Sequence, residues 1–412
     1  MIAKKDFRTV ILDPEKCKGC VTCMKRCPTE AIRVRNGKAS VNYEKCIGCG
    51  VCVRLCPHHA KLAYYDSFDE IHNYKYKIAL PPPSLYGQFN NLYDVNYVLN
   101  GLLEIGFDEV YEVGRGAELV SSVTKILLDQ GKIKFPVIST ACPAVLELIL
   151  ARYHNLKDNL LNVLAPVDIA AKLAREKAIS KGIPAEDIGV FFISPCPAKV
   201  FSLKLGLGVR KPYVDGVLSV GEVYMKLVPV MNKLQEVKPI SKLGATGLRW
   251  AVSGGEAEAA FRGKYLAADG IENVLNILNG LEENELKDID FIELNACAGG
   301  CVGGVLNVEN PFIAKARIRE LRKRMPQLDC NLLSDEGKGL EYYLWEEEPD
   351  IKNIDRIDED RMTAMQRLVE AEKILNSLPQ IDCGLCGAPS CRAFSEDLAN
   401  GVIPPDTKCP RV

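Results

Sequence analysis

The chain has 412 residues, 47% of them hydrophobic and 26% charged, with a formal charge of −2. That composition suits a globular protein too long for one ordinary core, so two or three domains are expected. The near-neutral balance, with no basic block or aromatic platform, argues against nucleic-acid binding. No apolar run approaches the roughly 20 residues of a membrane helix, and the opening MIAKKDFRTVILD lacks the apolar centre of a signal peptide, so a cytoplasmic protein is expected. Cysteine is the unusual residue: there are 17, mostly clustered, which in a large chain without a secretion signal points to metal rather than disulfides. Four histidines are too few for a zinc-rich or haem-rich protein; His58 and His59 read as solvated loop residues and His154 as structural.

The first element in chain order is a duplicated cysteine run. Cys17, Cys20, Cys23 and Cys27 follow the pattern C-x2-C-x2-C-x3-C-P, and Cys46, Cys49, Cys52 and Cys56 repeat it. This is the bacterial two-cluster ferredoxin spacing, in which the fourth cysteine serves the other cluster. Cys17, Cys20, Cys23 and Cys56 are expected to hold one 4Fe–4S cluster, and Cys27, Cys46, Cys49 and Cys52 the second. Gly19 and Gly48 free the tight backbone between ligands. Two zinc ions are the bland alternative. Such a module carries electrons and does no substrate chemistry.

A boundary is expected near NYKYKIALPPPSLYGQF, placing a ferredoxin-like α+β domain at 1–76 and an α/β core at 77–345. In the core, KYKIAL, FPVIST, IGVFFIS and IDFIELN read as strands; AVLELILARYH, APVDIAAKLAREKAISKG and GIENVLNILNGL read as helices. Ligands in such folds sit at the carboxyl ends of strands. Cys142, Cys196, Cys297 and Cys301 all lie just past strand ends, so a doubly wound sheet could gather them; separate buried cysteines are the alternative.

STACPA, SPCPAK and NACAGGCVGG resemble the three signature motifs of FeFe hydrogenases, in the order that family shows. PPPSLYGQF, GFDEVYEVGRGAEL, SGGEAEAAFR and IDFIEL add to the resemblance, which spans about Lys77 to Arg324. It implies an FeFe-hydrogenase-like core with parallel sheets, in which Cys142, Cys196, Cys297 and Cys301 hold a 4Fe–4S cluster. Cys301 would bridge to a two-iron subsite carrying carbon monoxide, cyanide and a dithiolate amine, completing an H-cluster that acts on dihydrogen and protons. By the same resemblance Lys199 would contact a cyanide ligand, and Pro83, Ser84, Gly299 and Gly300 would line the cofactor. Gly303 and Gly304 complete a backbone suited to close approach.

The sequence also departs from the fast members of that family. The first of their two adjacent motif cysteines, a proton relay, is Ala141. Ser121 and Ser122 stand where relay acids are expected, and two methionines near the irons are replaced by Ser194 and Asn295. A path without its acids should turn over slowly. The pattern resembles the sensory, group D branch, with a redox or signalling partner that the sequence does not identify.

The last domain, expected over 346–412, opens with the acidic linker LWEEEPDIKNIDRIDED and a helix near Arg361 to Ser377. Met365, Leu368, Glu372 and Leu375 fall near one face and should pack. Cys383, Cys386, Cys391 and Cys409, spaced C-x2-C-x4-C-x17-C, resemble a small 4Fe–4S domain; zinc is the runner-up. Cys330 is left without a role, and RIRELRKR reads as a solvated basic face, with docking of an acidic partner as the alternative. Two functional classes remain: a slow hydrogen-activating enzyme passing electrons through three further 4Fe–4S clusters, and a non-catalytic iron–sulfur protein lacking the two-iron subsite.

Overall fold

The computed structural model describes residues 7–131, 133–260, 263–328, 336–352, 354 and 360–412. Cys330 lies outside them.

The duplicated cysteine run is also a duplicated fold unit. Strands β1 (Val10–Leu12), β2 (Ile32–Arg35), β3 (Lys38–Val41) and β4 (Lys61–Ala63) form two antiparallel pairs, β1 with β4 and β2 with β3. A short helix follows the second cysteine of each run, at Thr22–Lys25 and Val51–Leu55, and carries the third. His58 and His59 are exposed on the loop after Cys56.

From Tyr76 onward the strands are parallel and fall into two sheets. β5 (Tyr76–Leu80), β6 (Glu109–Val110), β8 (Ile188–Ser194) and β9 (Gly216–Ser219) stand in the order β6-β5-β8-β9; β7 (Val137–Ile138), β10 (Tyr265–Asp269) and β11 (Phe291–Asn295) form the second sheet, β10-β11-β7. All seven residues of β8 are buried, as expected of a central parallel strand covered on both faces. The structure therefore differs from a single doubly wound sheet. Apolar runs show that a segment is a strand, but which strands share hydrogen bonds is decided between residues far apart in sequence. The consequence is that Cys196 follows a strand of one sheet, while Cys142 and Cys297 follow strands of the other.

Two further readings are corrected. The acidic stretch after Tyr343 begins as a strap on the core: Trp345 N donates to Asn162 O at 3.1 Å, Glu346 accepts from Lys172 Nζ at 3.3 Å, and Lys352 Nζ pairs with buried Glu147 at 2.5 Å. The helix Arg361–Ser377 forms, but its expected face does not pack. Met365 and Leu368 are 65% and 45% exposed, and Ala371 is the residue buried where this helix meets the helix Cys391–Ala399. A small alanine lets two helices approach closely, and apolar periodicity alone does not report that. No helix among the described residues is long and apolar enough to cross a membrane.

Candidate metal centres

In the ferredoxin-like domain the structure brings Cys17, Cys20, Cys23 and Cys56 around one small cavity. Cys27, Cys46, Cys49 and Cys52 surround a second. Backbone N–H groups point at the sulfurs: Ala31 N at Cys27 Sγ and Ala60 N at Cys56 Sγ, both 3.3 Å, and Ala39 N at Cys17 Sγ, 3.5 Å. Burial pushes the Cys23, Cys49 and Cys52 thiols up, opposed at Cys23 and Cys52 by the Lys61 charge. Four cysteine sulfurs around each void, in the duplicated two-cluster spacing, suit a 4Fe–4S cluster at each.

Lys61 was not singled out by the sequence. It is 2% exposed, its ammonium has no hydrogen-bond partner, it lines the first cavity, and its field reaches a cysteine of each set. The only sequence signal is its position, one residue past Ala60, opening a strand that pairs with β1.

The third set is built by two cysteine–proline helix starts and a glycine-rich turn. Cys142 and Cys196 are N-caps in extended conformation, with Pro143 and Pro197 opening the helices Pro143–Arg152 and Pro197–Leu205. Proline is preorganised for that position and lacks the N–H that would be left unpaired. The thiols are thereby held at helix N-termini, where negative charge is favoured. Cys297 follows β11, and Cys301 opens the turn Cys301–Gly303. All four lie within one another's electrostatic reach: Cys196 with Cys297 and Cys301, Cys297 with Cys142 and Cys301, Cys301 with Cys142. Burial raises Cys196 and Cys301 and pushes Cys297 up to about 11.

Beside this set lies a pocket lined among others by Pro83, Ser84, Ala141, Lys199, Glu256, Asn295 and Cys301. Lys199 Nζ donates to Ala141 O at 3.1 Å. Burial opposes its charge, but the thiolates of Cys301, Cys196 and Cys142 and the Asp168 carboxylate outweigh this and raise its pKa. Ser84 Oγ is fully buried without a partner. Asn295 Nδ2 donates to Glu293 Oε1 at 2.9 Å. Ser194 is placed differently: its hydroxyl donates to Cys196 O at 2.9 Å, bracing the cysteine loop. Ser121 and Ser122 donate to the carbonyls of Ala117 and Glu118, one turn back in their own helix. Gly299 and Gly300 do not line the cavity; Gly300, Gly303 and Gly304 face backbone, while Gly299 lies against the side chains of Pro311 and Val302. A Cβ on Gly303 would stand 2.0 Å from Ala298 O and one on Gly304 2.1 Å from Pro195 O, so close loop packing is what requires them.

Two carboxylates were missed as functional residues. Glu256 is 3% exposed; its Oε2 accepts from Ser139 Oγ at 2.5 Å, and its Oε1 has no partner. Burial, then the neighbouring Glu293 carboxylate, push it up to about 8. Glu293, 4% exposed, accepts from the N–H groups of Gly254 and Ala257, both at 2.9 Å, and burial raises it too. The available signal was a lone acid within an apolar strand, FIELN, and another beside glycines in SGGEAEAA.

The fourth set lies in the C-terminal domain. Cys391 and Cys409 are buried, and Cys386 interacts electrostatically with Cys409 and Cys383.

The family described as "Iron only hydrogenase large subunit, C-terminal domain" matches residues 75–267 and 257–305, more than half of the chain. The chain belongs to the iron-only hydrogenase family. A 4Fe–4S dicluster domain matches residues 9–57 of this hydrogenase-family chain, and a domain described as "Putative Fe-S cluster" matches residues 378–411. The chain is 27% identical over 256 residues to the NADP-reducing hydrogenase subunit HndD of Solidesulfovibrio fructosivorans, covering 49% of this chain and 44% of that one. It is 29% identical over 76 residues to the probable cytosolic Fe-S cluster assembly factor GM20417 of Drosophila sechellia, covering 18% and 16%. It therefore matches less than half the length of these curated relatives. Among solved structures, HydA(deltaEFG), a subject of stepwise FeFe-hydrogenase H-cluster assembly, matches with TM-score 0.53 and 16% identity over 70% of this chain and 97% of that one. A variant of HydA1 from Chlamydomonas reinhardtii matches with TM-score 0.52 and 15% identity over the same shares. At such identities the likeness establishes the fold.

Proposed function

We propose that this protein interconverts dihydrogen with protons and electrons at an H-cluster, turns over slowly, and reports dihydrogen to a partner. The observation carrying this reading is one pocket in which Cys301, from a four-cysteine set, meets the Lys199 ammonium and two buried oxygens without partners, Ser84 Oγ and Glu256 Oε1. Leaving a polar group buried and unpaired costs about 1–3 kcal/mol, so such a pocket suits a polar, anionic guest that these groups can bond.

Cys142, Cys196, Cys297 and Cys301 would hold the 4Fe–4S part of the cofactor, and Lys199, Ser84 and Pro83 would line its two-iron part. When bound, the two-iron subsite supplies the chemistry on the H–H bond. The chain's own residues orient and exchange protons. Lys199 presents a fixed positive charge beside Cys301. Glu256 holds a proton on a carboxyl oxygen facing the cavity, near the pH at which it can both give and take it. Ala141 offers no proton, and the Ser121 and Ser122 hydroxyls are committed to their helix. Proton supply resting on the Glu256 and Glu293 pair, without a thiol relay, supports slow turnover and hence a sensing role.

The second reading is a non-catalytic iron–sulfur protein; the local likeness to a probable cluster assembly factor favours it. Infrared spectroscopy of anaerobically matured protein separates the two. Cyanide and carbonyl bands are expected, and their absence after maturation would leave only the non-catalytic reading.

A further inference from the structure

The C-terminal domain is joined to the core by a long connection, yet its cysteine loops are fastened to one particular strand. Val34 N, in β2, donates to Gly387 O at 2.9 Å. Arg33 binds Asp397 through both Nε at 2.7 Å and Nη2 at 3.1 Å, and Arg35 joins the same carboxylate. The Asp397 side chain is only 9% exposed. Lys25 Nζ donates to Asp382 O at 2.5 Å and to Pro389 O at 2.7 Å, the carbonyls flanking Cys383 and Cys386. A two-pronged arginine–carboxylate pair fixes orientation as well as proximity.

The strand and the lysine also border a cluster site. Val34 lines the cavity of Cys17, Cys20, Cys23 and Cys56. Lys25 and Met24 directly follow Cys23, and a Cβ on Gly384 would lie 3.1 Å from Met24 Cε. On the other side, Gly387 lies so close that a Cβ there would fall 1.9 Å from Val34 O; only glycine permits this approach at its φ of +83°. The C-terminal cysteine loop thus abuts the wall of the first ferredoxin cavity.

The opposite end of the ferredoxin-like domain meets the core in the same manner. Gly50, lining the cavity of Cys27, Cys46, Cys49 and Cys52, sits where a Cβ would be 3.3 Å from Pro197 Cγ, next to Cys196; Gly48 lies as close to Ala198. Arg54 donates to Gly303 O and acts on Cys297. The contacts therefore link the four cysteine sets in an order: the core set to the set of Cys27, the set of Cys27 to the set of Cys17, and the set of Cys17 to the C-terminal set.

We propose that the C-terminal domain is the outermost station of an electron relay, held there by the Arg33–Asp397–Arg35 clamp on the strand that walls the Cys17 set. The proposal rests on the hydrogen-activating reading for the source of electrons. Each dihydrogen oxidised would release two protons and two electrons; with clusters held by the four cysteine sets, the electrons would leave one at a time along that order, each set's cluster being reoxidised by the next, and the last by a one-electron acceptor protein. Direct contact between ligand loops matters because tunnelling falls steeply with distance.

The test uses full-length protein with all clusters reconstituted: wild type, Cys383→Ser, and the double variant Arg33→Glu/Arg35→Glu. Electron paramagnetic resonance after dithionite reduction should show spin coupling to the C-terminal cluster in the wild type. The coupling should vanish in Cys383→Ser with loss of that cluster's iron, and vanish in the double variant with iron unchanged. Under dihydrogen, matured wild type should reduce the C-terminal cluster, and the double variant should do so at least tenfold more slowly while its ferredoxin clusters fill normally. A wild type with full iron but no coupling, or a double variant with coupling and rate intact, overturns the proposal. Coupling present in dithionite but no cluster reduced by dihydrogen supports the docking and instead overturns the hydrogen-activating reading.

Discussion

Glu256→Gln tests the proton role at the cavity. The substitution keeps shape and the contact with Ser139 while removing the exchangeable carboxyl proton. Burial and Glu293 move the native group from 4.5 to about 8, so at neutral pH it is mostly protonated and can donate. Loss of a positioned acid–base group typically lowers rate by about 10²–10⁴-fold, and the same range is expected for dihydrogen oxidation and proton reduction here. Stability should change in the opposite sense. An acid whose pKa is raised on folding binds more protons folded than unfolded, so wild-type stability declines as pH rises from 4.5 to about 8. At about 1.4 kcal/mol per pKa unit this penalty is on the order of 5 kcal/mol. The glutamine variant lacks it and should gain on the wild type as pH rises. Dye-coupled turnover from pH 6 to 9, paired with denaturant melts and infrared spectra, reads both. An unchanged rate with intact cofactor bands would refute the proton role, and a stability difference independent of pH would refute the buried, raised carboxyl.

Reconstituted protein without the two-iron subsite should bind about 16 irons, four at each of four sites, and iron analysis of Cys383→Ser should find about four fewer. Ala141→Cys places a thiol on the cavity wall beside Lys199 and Glu256; turnover should rise only in part, since groups acting as a unit are non-additive, and a rate equal to that of fast family members would refute the slow-relay account. Lys61→Met removes the unpaired ammonium lying between the two ferredoxin sites; because a nearby positive charge favours the reduced cluster, potentiometric titration should find both midpoints shifted down with iron content unchanged, and unshifted midpoints would refute that role.

Cysteine spacing by itself determined a great deal. Short loops such as C-x2-C can wrap only a local ligand set, so the duplicated run pointed to iron–sulfur clusters, and the cysteines just past strand ends pointed to a shared site at the sheet edge; that Cys142 and Cys196 also cap helices came from the structure. Family membership followed from the same motifs. What the sequence could not decide depends on residues brought together from afar. That the cysteines of the third set come from two sheets is a matter of inter-strand hydrogen bonding. That Ser194, ending β8, braces a loop while Glu256, in the helix Gly255–Ala260, faces the cavity is set by how the strand and the helix pack, and burial then converts an ordinary glutamate into one protonated near neutrality. Lys61 looks like any surface lysine until strand pairing buries it. The clamp of Asp397 on Arg33 and Arg35 joins positions at opposite ends of the chain, and no local pattern records a contact whose partners meet only in the folded protein.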